Sequence, residues 1–129
     1  MKIYCCNCEK DVNTVKKDGG EIYSHRPDLK HKIFFVCENC NNFVGQNTKN
    51  GKPLGVIPTK EIRSFRQTIH QLIDPLWKDD IISRNKLYLI LSEKFGEEYH
   101  TASLRTEDEC REIIKIAIKL RGQLYGYRK

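Results

Sequence analysis

No apolar run in the 129 residues approaches the roughly 18 needed to cross a bilayer. No secretory h-region precedes the first cysteines. A cytoplasmic location with no membrane partner is therefore expected. Also missing are a Gly-rich phosphate loop, a His-Glu-x-x-His helix, a nucleophile elbow and a spaced carboxylate cluster. Each absence removes a reaction class, so neither an enzyme nor a small-molecule substrate is expected. Glu97, Glu98, Glu107, Asp108 and Glu109 read instead as loop charges and as acids in the first turn of a helix, where the helix dipole favours them. There is no low-complexity linker.

What the chain has is cysteine, six in all. In a reducing compartment thiols stay free or bind metal, which argues against a disulfide framework. Four fall into two similar hooks, Cys5-Cys6-Asn7-Cys8 and, 28 residues later, Cys37-Glu38-Asn39-Cys40, each preceded by an apolar residue, Tyr4 or Val36. A two-residue spacer lets both sulfurs of a hook reach one ion while backbone N–H groups point at them, and two hooks complete a closed tetrahedral site. Cys5, Cys8, Cys37 and Cys40 are thus expected to hold one structural Zn2+. Pairing Cys6 with Cys8 would leave a one-residue spacer, so Cys6 is left out, and Cys110 lies on a helical stripe as a buried thiol. Rubredoxin-type iron is the sharper rival, but its Cys-Pro-x-Cys-Gly hook is absent twice.

Four sulfurs leave no open coordination position, so the ion cannot activate water. Its binding energy goes into folding. Apparent values of roughly 10 to 16 kcal/mol in zinc-finger peptides exceed the stability of a typical domain, so the metal replaces a core that some 60 residues cannot supply.

The formal charge of +6 falls to +4 once four thiolates and one divalent ion are counted. The surplus leans to the first 60 residues, with ten Lys or Arg against six acids. A mildly basic surface favours phosphate-bearing partners.

The first half reads as short strands over Glu21 to His25, Lys32 to Val36 and Pro53 to Ile57, punctuated by glycine. From Thr59 the period becomes helical, through Ile62, Phe65, Ile69, Leu72, Ile73 and Leu76, and Pro75 is expected to end that helix. A second helix begins near Asp80 or Ser83 and runs to Phe95, with Gly96 placed to terminate it. A third opens on the capping box Thr106 to Glu109 and carries Cys110, Ile113, Ile114, Ala117, Leu120 and Leu124 on one stripe. The expected class is α+β: an N-terminal zinc ribbon of about three short antiparallel strands (1–58) packed against a bundle of about three helices (59–129), forming one compact unit.

Beyond the hooks, Asn42-Phe43-Val44-Gly45, Pro53-Leu54-Gly55, Glu61-Ile62-Arg63, His70 and Asp74-Pro75-Leu76-Trp77 resemble a zinc-finger-containing domain family of unassigned function found in bacteria and their phages. The resemblance covers roughly residues 5 to 80 and continues through Arg84, Leu87, Tyr88, His100 and Cys110. It implies a zinc ribbon and a phage or prophage origin in a bacterial host cell. Where the pattern has a cysteine and a histidine after Val44-Gly45, this chain has Gln46 and Asn47.

Arg66, His70 and Asp74, four residues apart on one helix, form either a hydrogen-bonded seam between helix and ribbon or a polar stripe that grips phosphates or a partner's acidic side chains. Trp77 reads as a core anchor. His25 and His31 are candidate auxiliary ligands to a shell that four cysteines already fill, and His100 has no paired acid or nucleophile in the sequence. The functional expectation is a non-enzymatic, zinc-stabilised accessory protein acting by macromolecular binding. One candidate partner is nucleic acid, contacted through Lys49, Lys52, Lys60, Arg63, Arg66 and His70. The other is a host protein, the chain then inhibiting a defence nuclease such as a CRISPR nuclease. A rubredoxin-like electron carrier stands behind both.

Overall fold

The computed structural model describes residues 1–125. The chain falls into two compact units, Met1–Thr59 and the residues from Lys60 onward. The first is built on four strands in meander order, all antiparallel: β1 (Lys2–Cys5), β2 (Lys10–Asp18), β3 (Ile33–Cys37) and β4 (Phe43–Gly45). Side chains alternate faces along a strand, so Ile3 and Cys5 point the same way, as do Phe35 and Cys37. Register then aligns Ile3 with Val12 and Phe35 with Val44. These residues and Ile57 make the small core of the unit, on which Cys8 and Cys40 pack. The pleat thus delivers the first cysteine of each hook into the interior, at the last residue of β1 and of β3.

β3 is apolar on its other face as well. There Phe34 and Phe43 meet edge to face at 5.4 Å, and Tyr23 joins both at 5.9 and 5.8 Å.

The strands at Glu21 to His25 and Pro53 to Ile57 do not form. Asp18 and Glu21 make a reciprocal capping box that opens a one-turn helix, α1 (Gly19–Ile22), and a 3₁₀ turn follows at Pro27–Leu29. Residues 53–57 touch the sheet only through single bridges, Gln46 with Pro53 and Cys5 with Ile57. Proline lacks the N–H that a ladder needs, and Pro53 and Pro58 bracket this segment.

The second unit is helical: α2 (Lys60–Lys78), α3 (Arg84–Phe95) and α4 (Glu107–Leu124). α2 buries Ile62, Ile69, Ile73 and Leu76, and α4 answers with Cys110, Ile113, Ala117 and Leu120. Ser83 caps α3 by accepting from the Lys86 N–H, and Gly96 ends it at φ 92, a left-handed conformation that glycine adopts without a Cβ penalty. Thr106 and Glu109 form both halves of the capping box on α4.

Pro75 does not terminate α2. The proline leaves the Gln71 carbonyl without its helical donor, yet the helix runs on to Lys78 because Ile73 and Leu76 on either side are fully buried. One turn back, the Leu72 carbonyl accepts from the Arg121 guanidinium of α4 at 2.7 Å. Tyr127, Arg128 and Lys129 lie outside the described residues.

Candidate metal centre

Each hook is a strand end followed by a tight turn, and the two turns repeat one design. The Glu9 N–H donates to the Cys5 carbonyl at 2.8 Å, and the Asn41 N–H donates to the Cys37 carbonyl at 3.0 Å. In both, the residue just past the second cysteine is left-handed, Glu9 at φ 56 and Asn41 at φ 66. That reversal turns the chain away once both cysteines of the hook are placed. The Asn39 N–H lies 3.4 Å from the Cys37 sulfur. Ile57 braces the first hook, donating its N–H to the Tyr4 carbonyl and accepting from the Cys6 N–H.

All four sulfurs lie within 4.8 Å of one another. Cys5 and Cys40 are 3.6 Å apart and Cys8 and Cys37 are 3.8 Å apart. Zinc–sulfur bonds of about 2.3 Å in a tetrahedron put the sulfurs about 3.8 Å apart, so the cage has the size that zinc needs. The electrostatics agree. Partial burial, and then the thiols of Cys37, Cys5 and Cys40, push the Cys8 thiol up to about 12. Burial likewise raises Cys5. For Cys37 burial, the largest single influence, acts upward too, but N–H groups of Cys40 and Asn39 together with the thiols of Cys40 and Cys8 outweigh it and its thiol is lowered. Four clustered sulfurs cannot all be anionic on their own, and a divalent cation at their centre supplies the charge that makes them so. The protein carries one structural zinc, held by Cys5, Cys8, Cys37 and Cys40, and what the ion supplies when bound is a cross-link between the two hooks.

Cys6 is buried beside this cluster but outside it, and among the described residues no histidine joins the four. His25 and His31 are exposed. Gln46 and Asn47, which follow Val44-Gly45, build a turn. Gln46 donates to the Gly51 carbonyl at 2.9 Å, and Asn47 accepts from the Lys49 N–H at 2.8 Å.

The remaining candidates sit in two places. Lys49 and Lys52 are exposed on that turn, in the first unit. Lys60, Arg63, Arg66 and His70 lie on α2, in the second. Arg66 donates to the Leu104 carbonyl at 3.1 Å, His70 lies 3.3 Å from the Asp74 carboxylate, and the Trp77 indole donates to Asp74 at 3.2 Å. The Arg66 bond to Leu104 stays within the second unit, and His70, Asp74 and Trp77 bond to one another along α2. Trp77 is only half-buried, with Lys78 and Arg84 against its ring. His100 has an acid after all, Glu98 at 3.1 Å.

What sequence reasoning missed is the role of the residue after each hook. A glycine there is the usual solution to a left-handed turn, and neither hook has one. An L-residue with a long side chain in this conformation costs about 1–2 kcal/mol, whereas asparagine tolerates it. Glu9→Gly should therefore raise the stability of the zinc-loaded protein by about 0.5–1 kcal/mol after the entropy of the freed unfolded chain is deducted. Asn41→Gly should change it by only a few tenths. Denaturant midpoints at fixed free zinc check both, and equal effects from the two variants would contradict the account.

Comparison with known families matches residues 1–120 of the chain to a zinc-finger-containing domain. No curated protein and no solved structure matches.

Proposed function

The chain belongs to this family of zinc-finger-containing domains, and from that premise we propose that it is a non-enzymatic binding protein that contacts nucleic acid through backbone phosphates. The observation that carries the reading is the state of its lysines. Among the described residues, every ion pair uses arginine or histidine, as in Arg26 with Asp28 and Arg111 with Glu107 and Asp108, and no lysine is in one. Lysine charge without an internal carboxylate is charge available to a phosphate, and counterion release then supplies the affinity. Lys49 and Lys52 stand on a turn whose backbone is held by the Asn47 and Asn50 side chains, so the backbone beneath them is already ordered when they engage. Zinc in a closed four-sulfur shell has neither an open position for catalysis nor a redox state to exchange, which supports a binding role over an enzyme or an electron carrier.

A protein-inhibitor reading draws on a different observation, the exposure of Leu54, Leu89 and Ile118 at 55%, 70% and 57%. Singly exposed apolar residues are ordinary on monomers, so this reading ranks second.

Anisotropy titrations of labelled single- and double-stranded oligonucleotides across a salt series test the first reading. Affinity should fall linearly on logarithmic axes, and the combined variant Lys49→Ala, Lys52→Ala, Lys60→Ala should flatten the slope by about one unit for each phosphate it no longer neutralises. Binding that ignores salt, or a lysine variant that matches the parent, would refute it. Salt-tolerant capture of one host protein after nuclease treatment would move the second reading to first place.

A further inference from the structure

We infer that the second unit carries a nucleotide site of its own, a groove of about 460 Å³ between α3 and residues 98–100. The groove is open to solvent, and its volume would take one small ligand. α3 supplies one wall with Arg84, Asn85, Tyr88 and Leu89, and Glu98 and His100 stand on the other. The floor is rigid. Tyr99 is 1% exposed, stacks on Tyr88 at 5.9 Å, and its hydroxyl lies 2.7 Å from the Thr101 hydroxyl. Ser92 ties the walls together, donating to the Tyr88 carbonyl at 2.7 Å and accepting from the Tyr99 N–H at 2.9 Å.

Arg84 is the residue that points to a ligand. Its guanidinium packs on Tyr88 at 4.8 Å and on Trp77 at 5.7 Å. Two aromatic rings thus hold the cation in place, and among the described ion pairs no carboxylate takes it up. Arg111 and Arg26, by contrast, are neutralised by acids on their own segments. A guanidinium that rests against aromatic rings and has no carboxylate partner keeps N–H groups for an anion, and its fork suits phosphate. Across the groove the chemistry reverses: Glu98, held by His100, is an acceptor, and it disfavours a second anion while suiting an amino-bearing base edge. Between them the exposed Leu89 offers apolar surface, and Asn85 offers an amide.

One anionic end, one hydrogen-bond-donating end and an apolar middle describe a nucleotide unit with an exocyclic amine. An acidic peptide side chain meets only the first requirement. The inference deepens the nucleic-acid reading and rests on it for the source of the nucleotide, a single strand, but not for the shape of the groove.

The test is an NMR titration of the zinc-loaded full chain with adenosine 5′-monophosphate, inorganic phosphate, adenosine and an acidic peptide in separate arms. The monophosphate should shift resonances of Arg84, Tyr88 and His100 and bind on the order of tenfold tighter than phosphate or adenosine alone. Arg84→Ala and Arg84→Lys should each lose that preference, because lysine cannot form the fork. Both variants must keep the parental helical spectrum, which is expected since Arg84 is exposed and Ser83 still caps the helix. No groove shifts at millimolar monophosphate, an acidic peptide that binds as well, or an unchanged Arg84→Ala would overturn the site. Oligonucleotide binding that survives Arg84→Ala but not the lysine variant would reject the groove and keep the reading above. Monophosphate binding in the groove with no oligonucleotide binding would do the reverse.

Discussion

Replacing Cys37 with serine should abolish stoichiometric zinc binding and unfold residues 1–59 as a unit. Cys37 is fully buried, stands at the end of β3 directly after the core residues Phe35 and Val36, and its sulfur lies within reach of the other three. A serine keeps the shape but supplies a hard, protonated oxygen where a thiolate is needed, so the tetrahedral shell loses a ligand and most of its affinity. What then remains is a core of Ile3, Val12, Phe35, Val44 and Ile57, too small to offset the ordering of nearly sixty residues. Lost metal energy of roughly 10 kcal/mol exceeds the net stability of most domains. Zinc content by elemental analysis and the amide resonances of β1 to β3 provide the measurement. A folded sheet in the metal-free variant would sink the claim that the ion replaces a core. Cys6→Ser is the matched control and should retain one zinc per chain, because Cys6 lies outside the cluster.

The second large effect concerns a glycine. Gly19 opens α1, where its N–H donates to the Lys32 carbonyl at 2.8 Å and its backbone is buried. A Cβ at this position would overlap the carbonyl group of Leu29. Backbone cannot rotate away as a side chain would, so Gly19→Ala must push apart the Asp18 cap and the 3₁₀ turn that together return the chain from β2 to β3. A cost of about 3 kcal/mol or more is expected, at the upper end for overpacking. Gly20→Ala is its comparison, since the near neighbour there is the Asp18 side chain at 3.1 Å, which can shift. Thermal denaturation of the two zinc-loaded variants should separate them widely. Equal midpoints would mean that the close approach at Leu29 is not what the glycine serves.

Which parts of this molecule were legible follows from where local chemistry decides structure. The metal centre could be read because ligand identity and spacing are themselves the physical requirement. α4 could be read because Thr106, Glu109 and the stripe from Cys110 to Leu120 agree with one another, and Ser83 and Gly96 marked α3 for the same reason. β2 was invisible since Lys10–Asp18 carries only Val12 and Val15 as apolar side chains, and its strand state comes from pairing with β1 and β3 rather than from its own pattern. The expected strand after Gly20 failed although a contrary signal was present, for Asp18 and Glu21 have capping-box spacing. Pro75 misled because a proline breaks one rung of a helix, and burial on both sides outweighed that loss. The Arg84 groove was legible only in part, for Arg84 and Tyr88 stand four apart on one helix, whereas Trp77 and residues 98–100 join them only through tertiary packing.

The repeated turn design of the two hooks has a thermodynamic corollary. Since zinc binds the folded cage and not the open chain, the resistance of residues 1–59 to denaturation is a property of the surrounding metal pool as much as of the polypeptide. By mass action, each tenfold fall in free zinc subtracts about 1.4 kcal/mol. A cell that starves for this metal would withdraw the fold of that unit by degrees, with no change in the sequence and no protease required.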